Sequence, residues 1–529
     1  MDFPVTRNLA QALARMRFVD GKDRVLWVDA VCINQRSIDE RNAQVLRMAD
    51  IYGSASRVMV WLGESSTESR SAVSFFSKWT APNWDAEKVI DSYATNNQKW
   101  RDLTHGLLER EWWTRMWIVQ EVVLARAIMI QCGPDTLSWD LLAAISMVSH
   151  TNNLVLEYSS KTAAFDGFRY APMTLTFVQM EYQENGRLPL STLMVKFSKN
   201  QCREPSDRVY ALLGMATNPK YYQIKPNYRT NPAIVYMGAT ERFIREVQSL
   251  DIICLGRGTN RDGNVPMWKP GLRERSRLAG LPSWSPDFRT RPGEDPASLT
   301  RLGISETPGF SACGTRKPII RFLPSGKLLA MGAEAGCIGA LGATSEIRRK
   351  GDNNDPDLGE HIGNILQEAV VLALGGTEMP LYHTLYPFAE GMTYHEVLSR
   401  VLVCDTNAYN QRCKKGEGWF QADNVPPADF EAGLDERVRQ QSWSSKVGLM
   451  KSHWRDGRRL MVLTAGLLGL APEGAREGDF IIILFGCSVP LVMRSHGNDF
   501  EVIGECYVHG IMNGEYLDVE PSITEFSLI

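Results

Sequence analysis

A strand–helix–strand unit near the beginning of the chain constrains the fold more than any other feature. Residues 24–29 (RVLWVD) and 57–62 (RVMVWL) are short apolar runs bounded by loop residues, as buried strands are. Between them, Ser37 and Glu40 form a capping-box pattern at the start of a helix that continues to Tyr52. Two strands joined by a helix are typical of a parallel sheet, so the sequence predicts an α/β fold.

Further patterns extend this unit over the first 140 residues. Apolar side chains recur at helical spacing in residues 8–16, 71–78 and 111–125, and residues 127–132 again have the composition of a strand. Helices that alternate with strands cover both faces of a parallel sheet, and ligands bind at the carboxyl ends of its strands. We therefore expect any ligand near residues 29–35.

The length of 529 residues exceeds what one hydrophobic core supports, so several domains are expected. The change of pattern along the chain predicts three: an α/β domain at 1–140, a helical accessory region at 141–290 and a β-rich domain at 291–529.

The β-rich domain has its clearest strands near the end of the chain. We predict that residues 480–484 and 489–493 pair as antiparallel strands, joined near 486–488 and continued by 501–507, with alternating buried and exposed side chains. One helix is predicted at 361–374, after a polar, acidic loop.

Charge and composition make nucleic acid an unexpected partner. The formal net charge is -3, whereas binding to a phosphate backbone normally needs a large basic surface. Hydrophobic residues at 44% and charged residues at 22% match a folded globular protein. We expect protein partners or self-association instead.

Neither a signal peptide nor a membrane span is predicted, and a cytoplasmic location is therefore expected. Arginines interrupt the apolar runs of the first 18 residues, and the longest apolar stretch, 480–493, falls short of the roughly 20 residues that cross a bilayer. The ten cysteines contain no C-x-x-C pair and are expected to be reduced.

Several motifs for metal and nucleotide sites fail when their spacing is checked. His395 and Glu396 lack the second histidine of H-E-x-x-H, and the acidic loop after Asp352 has Pro356 where a calcium site needs an oxygen ligand. No glycine-rich loop ends in Gly-Lys-Ser/Thr. We expect no metal site and no required cofactor.

Two longer segments carry a more specific signal. The first is LWVDAVCINQ at 26–35, and the second is WWTRMWIVQEVVLA at 112–125. In this order they resemble the central blocks of the fungal heterokaryon incompatibility (HET) domain. Later blocks, DRVYALLG at 207–214 and LPSWSPDF at 281–288, resemble regions that accompany this domain.

The resemblance implies a role in fungal self/non-self recognition that ends in programmed cell death. It also implies a TIR-like, flavodoxin-like parallel sheet with flanking helices, followed here by the helical middle region and the β-rich C-terminal domain. TIR-like domains include enzymes that cleave NAD with a glutamate in a W-x-x-x-E helix, which makes NAD a candidate substrate. Trp117 and Glu121 match that pattern.

Helical spacing places Trp113, Trp117 and Glu121 in one stripe, with Glu121 as the candidate catalytic residue and the tryptophans as ligand-binding residues. One carboxylate suits this chemistry, because it can stabilise the oxocarbenium-like transition state that forms as neutral nicotinamide leaves. The alternative is a structural role, in which Glu121 pairs with Arg115 or Arg126.

In TIR-like domains a ligand-gating loop occupies the position of residues 29–35. Asp29, Asn34 and Gln35 are therefore candidate ligand-binding residues, although such residues also suit a buried turn between a strand and a helix.

One departure from the family bears on activity. HET domains open with a strand upstream of the helix that here begins at Asn8, and this first strand is absent. Its absence predicts a gap, an exposed edge or a borrowed segment beside 24–29, and removes one wall of the ligand crevice. We therefore expect this chain to leave NAD uncleaved, and we keep an interaction module and a degenerate, inactive member as alternatives to an enzyme.

Overall fold

The computed structural model describes most of the chain. The described residues are 4–17, 23–79, 84–151, 171–198, 200–217, 224–255, 277–289, 309–342, 385–386, 391–401, 404–405 and 458–529. They form two compact units, the first including residues up to Val235 and the second beginning at Tyr236. The division into three domains at 140 and 290 stays a prediction.

Helices make up most of the first unit. They are α1 (Arg7–Arg15), α2 (Asp29–Cys32), α3 (Ile38–Ser54), α4 (Thr67–Phe76), α5 (Ala86–Thr95), α6 (Asn97–Leu103), α7 (Ile118–Val123), α8 (Trp139–Thr151), α9 (Ala171–Asn185), α10 (Leu190–Lys196) and α11 (Asp207–Leu213). The predicted helices at 8–16, 37–52 and 71–78 correspond to α1, α3 and α4. Ser37 caps α3 by accepting the Glu40 amide, whereas the Glu40 carboxylate accepts from the Asn34 amide. Only half of the expected capping box therefore forms.

The sheet of the first unit has the order β1 (Val58–Trp61), β2 (Ile128–Cys132) and β3 (Asp135–Ser138). β1 and β2 are parallel with Val58 opposite Ile128, and β2 and β3 are antiparallel with Cys132 opposite Asp135. The predicted strands at 57–62 and 127–132 are therefore confirmed as parallel neighbours.

The predicted strand at 24–29 is wrong. Residues 23–28 pair with no strand in the described part of the chain, and Asp29 already begins α2. Val25 is 97% exposed. An apolar run becomes a strand only when it pairs along the edge of a neighbouring strand, and residues 23–28 form no such pairing in the described part of the chain.

The predicted helix at 111–125 is also wrong, because it breaks in the middle. Its first turn, Glu111–Thr114, is a 3-10 helix, Arg115 is extended, and α7 starts only at Ile118. The break has a tertiary cause: the Met116 amide donates 2.8 Å to the carbonyl of Gln201, which forms a parallel bridge with Arg115. Pairing with a distant segment thus overrides local helix propensity.

The second unit is rich in strands. α12 (Pro232–Val247) contains the point at which the units divide, and α13 (Tyr394–Val401) and α14 (Glu515–Asp518) are the later helices of the described residues. The strands are β4 (Ile320–Phe322), β5 (Leu328–Leu341), β6 (Arg459–Leu463), β7 (Leu468–Ala471), β8 (Phe480–Leu484), β9 (Leu491–His496), β10 (Asp499–Glu505), β11 (Tyr507–Val508) and β12 (Ile523–Leu528).

Five of these strands close into a ring. The order β5–β12–β10–β9–β8 is completed by pairing of β8 with β5, while β6, β7 and β11 extend the sheet from β5. β5 joins both parts because its register shifts near Gly336, whose φ of +119° favours glycine. Its first half pairs with β12, and its last residues pair with β6.

The predicted hairpin near the end of the chain is confirmed. β8 and β9 pair antiparallel with Phe480 opposite Met493, and β10 continues the ladder. The expected alternation of exposure is wrong for β8, whose residues after Phe480 are all buried. A strand covered on both faces has no solvent-exposed side.

Two further sequence-based expectations concern a helix at 361–374 and membrane spans. The predicted helix at 361–374 and the acidic loop before it lie outside the described residues. In the part of the chain that the structure describes, no helix is both long enough and apolar enough to cross a membrane.

Candidate functional site

Glu121 lies in the first turn of α7, and two neighbours hold its carboxylate. The Trp112 indole N–H donates 3.1 Å to Oε2, and the Arg115 guanidinium lies 3.9 Å from Oε1. The side chain of Glu121 is 13% exposed, whereas that of Arg115 is 47% exposed. The break in the predicted helix allows both contacts, because it turns Trp112 and Arg115 back toward α7.

Tyr52 and Asp29 complete the surroundings of Glu121. Burial raises the pKa of Glu121, Arg115 and Trp112 oppose this rise, and the negative charge of Asp29 adds to it. Burial also raises the pKa of Tyr52, with the charges of Glu121 and Asp29 acting in the same direction. These mutual effects place Asp29, Tyr52, Trp112, Arg115 and Glu121 in one group, which we call the Glu121 cluster.

The loop predicted to bind a ligand meets this cluster through Asp29. The side-chain amide of Gln35 donates 3.2 Å to the backbone carbonyl of Asp29, so the Gln35 side chain is held against the same turn. Asn34 stabilises the turn, because its side-chain Oδ1 accepts a hydrogen bond of 3.1 Å from the backbone N–H of Arg36. The negative charge of Asp29 thus acts on Glu121, whereas Asn34 makes a local turn contact.

The two predicted tryptophans differ in their relation to Glu121. Trp117 lies one helical turn away, and its carbonyl accepts 3.3 Å from the Glu121 backbone N–H, whereas Trp113 lies before the break in the helix. Trp113 is fully buried, donates its indole N–H 2.7 Å to the Leu107 carbonyl and stacks on Trp139. Trp117 donates 3.0 Å to Oδ2 of Asp207. Trp113 is outside the expected stripe because residues 113–121 do not form one continuous helix, whereas Trp117 and Glu121 keep their helical backbone spacing.

A second carboxylate, which the sequence analysis did not single out, lies at Asp207. Besides the Trp117 indole, it accepts 2.6 Å from the Tyr228 hydroxyl, and burial raises its pKa. The Arg41 guanidinium lies 4.0 Å above the Tyr228 ring. Asp207 opens the DRVYALLG block, so a signal was present, but its role as the partner of Trp117 depends on tertiary contact.

Each shielded carboxylate is anchored by a tryptophan indole from the segment 112–117. A carboxylate fixed in this way is preorganised to stabilise positive charge, and Glu121 has the exposed Asp29 and Arg115 at its side. The same anchoring also stabilises the fold, because indole N–H groups and carboxylates satisfy each other when buried.

Comparison with known proteins identifies both ends of the chain. Residues 1–121 match the family described as heterokaryon incompatibility protein (HET), and residues 407–529 match the family described as Het-6 beta-barrel domain. The ring of strands in the second unit agrees with the second description. No solved structure matches the chain.

A curated relative extends the likeness along the chain. Heterokaryon incompatibility protein 6, OR allele, from Neurospora crassa is 24% identical over 576 aligned residues, which cover 93% of this chain and 81% of the relative. All five residues of the Glu121 cluster lie within the HET match, and Glu121 is the last residue of that match. The protein is therefore a fungal HET-domain protein, with a HET domain at one end of the chain and a Het-6 β-barrel domain at the other.

Proposed function

We propose that this protein acts in heterokaryon incompatibility, where recognition of a non-self partner leads to programmed cell death. The observation that carries the proposal is the joint match of a HET domain and a Het-6 β-barrel domain in one chain, together with the relative aligned along 93% of it. Cell-death signalling is a general property of the family, and protein partners or self-association supply the trigger.

The test is expression of the chain in one of two otherwise compatible fungal strains. We expect fused cells to die, as measured by uptake of a vital dye at the contact zone. A matched strain carries a frameshifted copy of the gene and should form living fusions. Equal survival of both fusions over a range of partner strains would contradict the proposal.

A second candidate function is cleavage of NAD by a TIR-like first unit. Its support is the parallel pair β1 and β2, together with the shielded Glu121 carboxylate, whose pKa burial raises and the charge of Asp29 raises further. In this reaction the bond between nicotinamide and ribose breaks, neutral nicotinamide leaves, and water adds to the ribose to give ADP-ribose and a proton. Glu121 would stabilise the positive charge on the ribose.

Nicotinamide release by the purified chain tests this second function. The variant Glu121→Gln removes the charge and keeps the volume, so it should abolish release and cell death together if the enzyme acts. Glu111→Gln is the matched control, since Glu111 is exposed on the preceding turn. Cell death without any loss of NAD would instead favour an interaction module that catalyses nothing.

A further inference from the structure

Three segments of the second unit meet at one point beside the ring of strands. They are the 3-10 turn Asp251–Cys254, the turn around residues 311–314 and the turn between β8 and β9. The Leu250 amide donates 2.7 Å to the Gly486 carbonyl, and the Ser488 amide donates 2.7 Å to Oδ1 of Asp251. These bonds fix the first segment against the third.

Two thiols face each other across this junction. Sγ of Cys254 and Sγ of Cys487 are 3.9 Å apart, and the two residues are 7% and 0% exposed. A disulfide needs a sulfur–sulfur distance of about 2.05 Å, so a closure of about 2 Å through side-chain rotation would join them. The two residues lie 233 positions apart in the sequence.

A cavity lies beside this junction. It has a volume of about 170 Å³ and is lined by Asp251, Cys313, Gly486 and Ser488, among others. Since a water molecule occupies about 30 Å³, the cavity admits a small oxidant such as hydrogen peroxide. Gly486 and Ser488 flank Cys487 in the sequence, but neither Cys254 nor Cys487 lines the cavity, so an oxidant must pass the turn at 486–488 to reach the two thiols.

We propose that Cys254 and Cys487 form a reversible disulfide site that responds to hydroperoxides. In the first step one thiol is oxidised to a sulfenic acid while the hydroperoxide is reduced to water or an alcohol. In the second step the other thiol attacks the sulfenic sulfur, the S–S bond forms and water leaves. For hydrogen peroxide the sum is two thiols and one peroxide giving one disulfide and two waters.

The environment of the pair predicts the rate of this reaction. Burial and the contact with Cys487 raise the pKa of the Cys254 thiol, so the thiol form dominates at neutral pH. The thiolate is the reactive species, and its fraction rises about tenfold per pH unit below the pKa. We therefore expect slow disulfide formation that accelerates about tenfold per unit between pH 7 and 9.

Peptide mapping of the purified full chain tests the site. After treatment with hydrogen peroxide, alkylation of the remaining thiols and digestion, mass spectrometry should find a cross-linked peptide pair that contains Cys254 and Cys487. A reducing agent should release it. The oxidised chain should also unfold at higher guanidinium concentration than the reduced one, because the new bond closes a long loop.

Variants with one cysteine replaced identify the partners. Cys254→Ala and Cys487→Ala should each abolish the cross-link, whereas Cys506→Ala, at another buried cysteine of the same unit, should retain it. Mapping of the unaltered chain needs no variant, so a failure of one variant to fold does not affect the test. The proposal is overturned if both thiols stay fully alkylatable after oxidation, or if Cys487 is found linked to Cys313 instead.

Discussion

At the scale of single residues, two shielded carboxylates in the first unit each accept a hydrogen bond from a tryptophan indole N–H group. Glu121 accepts from Trp112 and Asp207 accepts from Trp117. Burial raises the pKa of both carboxyl groups, so each bond to an indole offsets part of a desolvation cost.

The hydrogen bond from Trp112 can be removed while an aromatic ring is kept at that position. Trp112→Phe should lower the free energy of unfolding by about 1–3 kcal/mol, because a partly buried carboxylate loses a donor. Urea unfolding measures the change. Trp27→Phe is the control, since Trp27 is 37% exposed, and it should change stability by less than about 0.5 kcal/mol. Equal effects of both changes would show that the indole bond to Glu121 contributes nothing.

The raised pKa of Glu121 predicts a pH dependence with a definite sign. A carboxyl group with a higher pKa in the folded state binds its proton more tightly there, so its stabilisation is complete below the unfolded value of about 4.3. This contribution is lost as the pH rises through the folded pKa. Glu121→Gln should therefore gain stability relative to the unaltered chain as the pH rises above about 4.3, in unfolding experiments at several pH values. A constant difference across this range would contradict the assigned direction.

At the scale of elements, the close approach of neighbouring strands depends on glycine at particular positions. A Cβ atom at Gly469 on β7 would lie 2.2 Å from the Tyr507 carbonyl oxygen and 2.8 Å from the Met461 methyl group. Gly238 on α12 has no atom within 4 Å of the corresponding position. The two glycines thus differ in packing within the same unit.

Alanine at these two positions should have opposite effects. Gly469→Ala should destabilise the second unit by about 1–3 kcal/mol or more, because the backbone of β11 must move. Gly238→Ala should be neutral or stabilise by up to about 1 kcal/mol, because alanine restricts the unfolded chain and favours the helix. Thermal unfolding followed by circular dichroism compares them. A neutral Gly469→Ala would show that β7 and β11 are not packed as closely as described.

At the scale of the whole molecule, the ring of strands uses residues far upstream of the region that matches the Het-6 β-barrel domain. The match begins at residue 407, whereas β5 spans Leu328–Leu341 and pairs with β8 and with β12. Without β5 the ring cannot close, and β6, β8 and β12 each lose one hydrogen-bonding neighbour.

This topology predicts which fragments fold. A chain of residues 236–529 should give a cooperative unfolding transition and a dispersed amide NMR spectrum. A chain of residues 407–529 should lack both or aggregate, because its strand edges stay open. A well-folded 407–529 fragment would show that β5 is not part of the minimal domain.

Local patterns were sufficient for several elements of the fold. Strands β1 and β2, helices α1, α3 and α4, and the hairpin of β8 and β9 follow from short apolar runs, helical spacing and turn residues in adjacent sequence. The HET resemblance likewise depended on contiguous blocks, and the family matches agree with it. The W-x-x-x-E resemblance also implied that Glu121 lies in a helix, and it lies in α7.

The tertiary structure alone decided the features that depend on distant partners. The chain breaks its expected helix at Arg115 because Gln201 binds the backbone there, and this break places Trp112 rather than Trp113 beside Glu121. Residues 23–28 join no strand of the described structure although their sequence favours a strand. Hydrogen bonds and packing between segments far apart in the chain outweigh local propensities of a few tenths of a kcal/mol per residue. Such contacts leave no signature in the order of neighbouring residues.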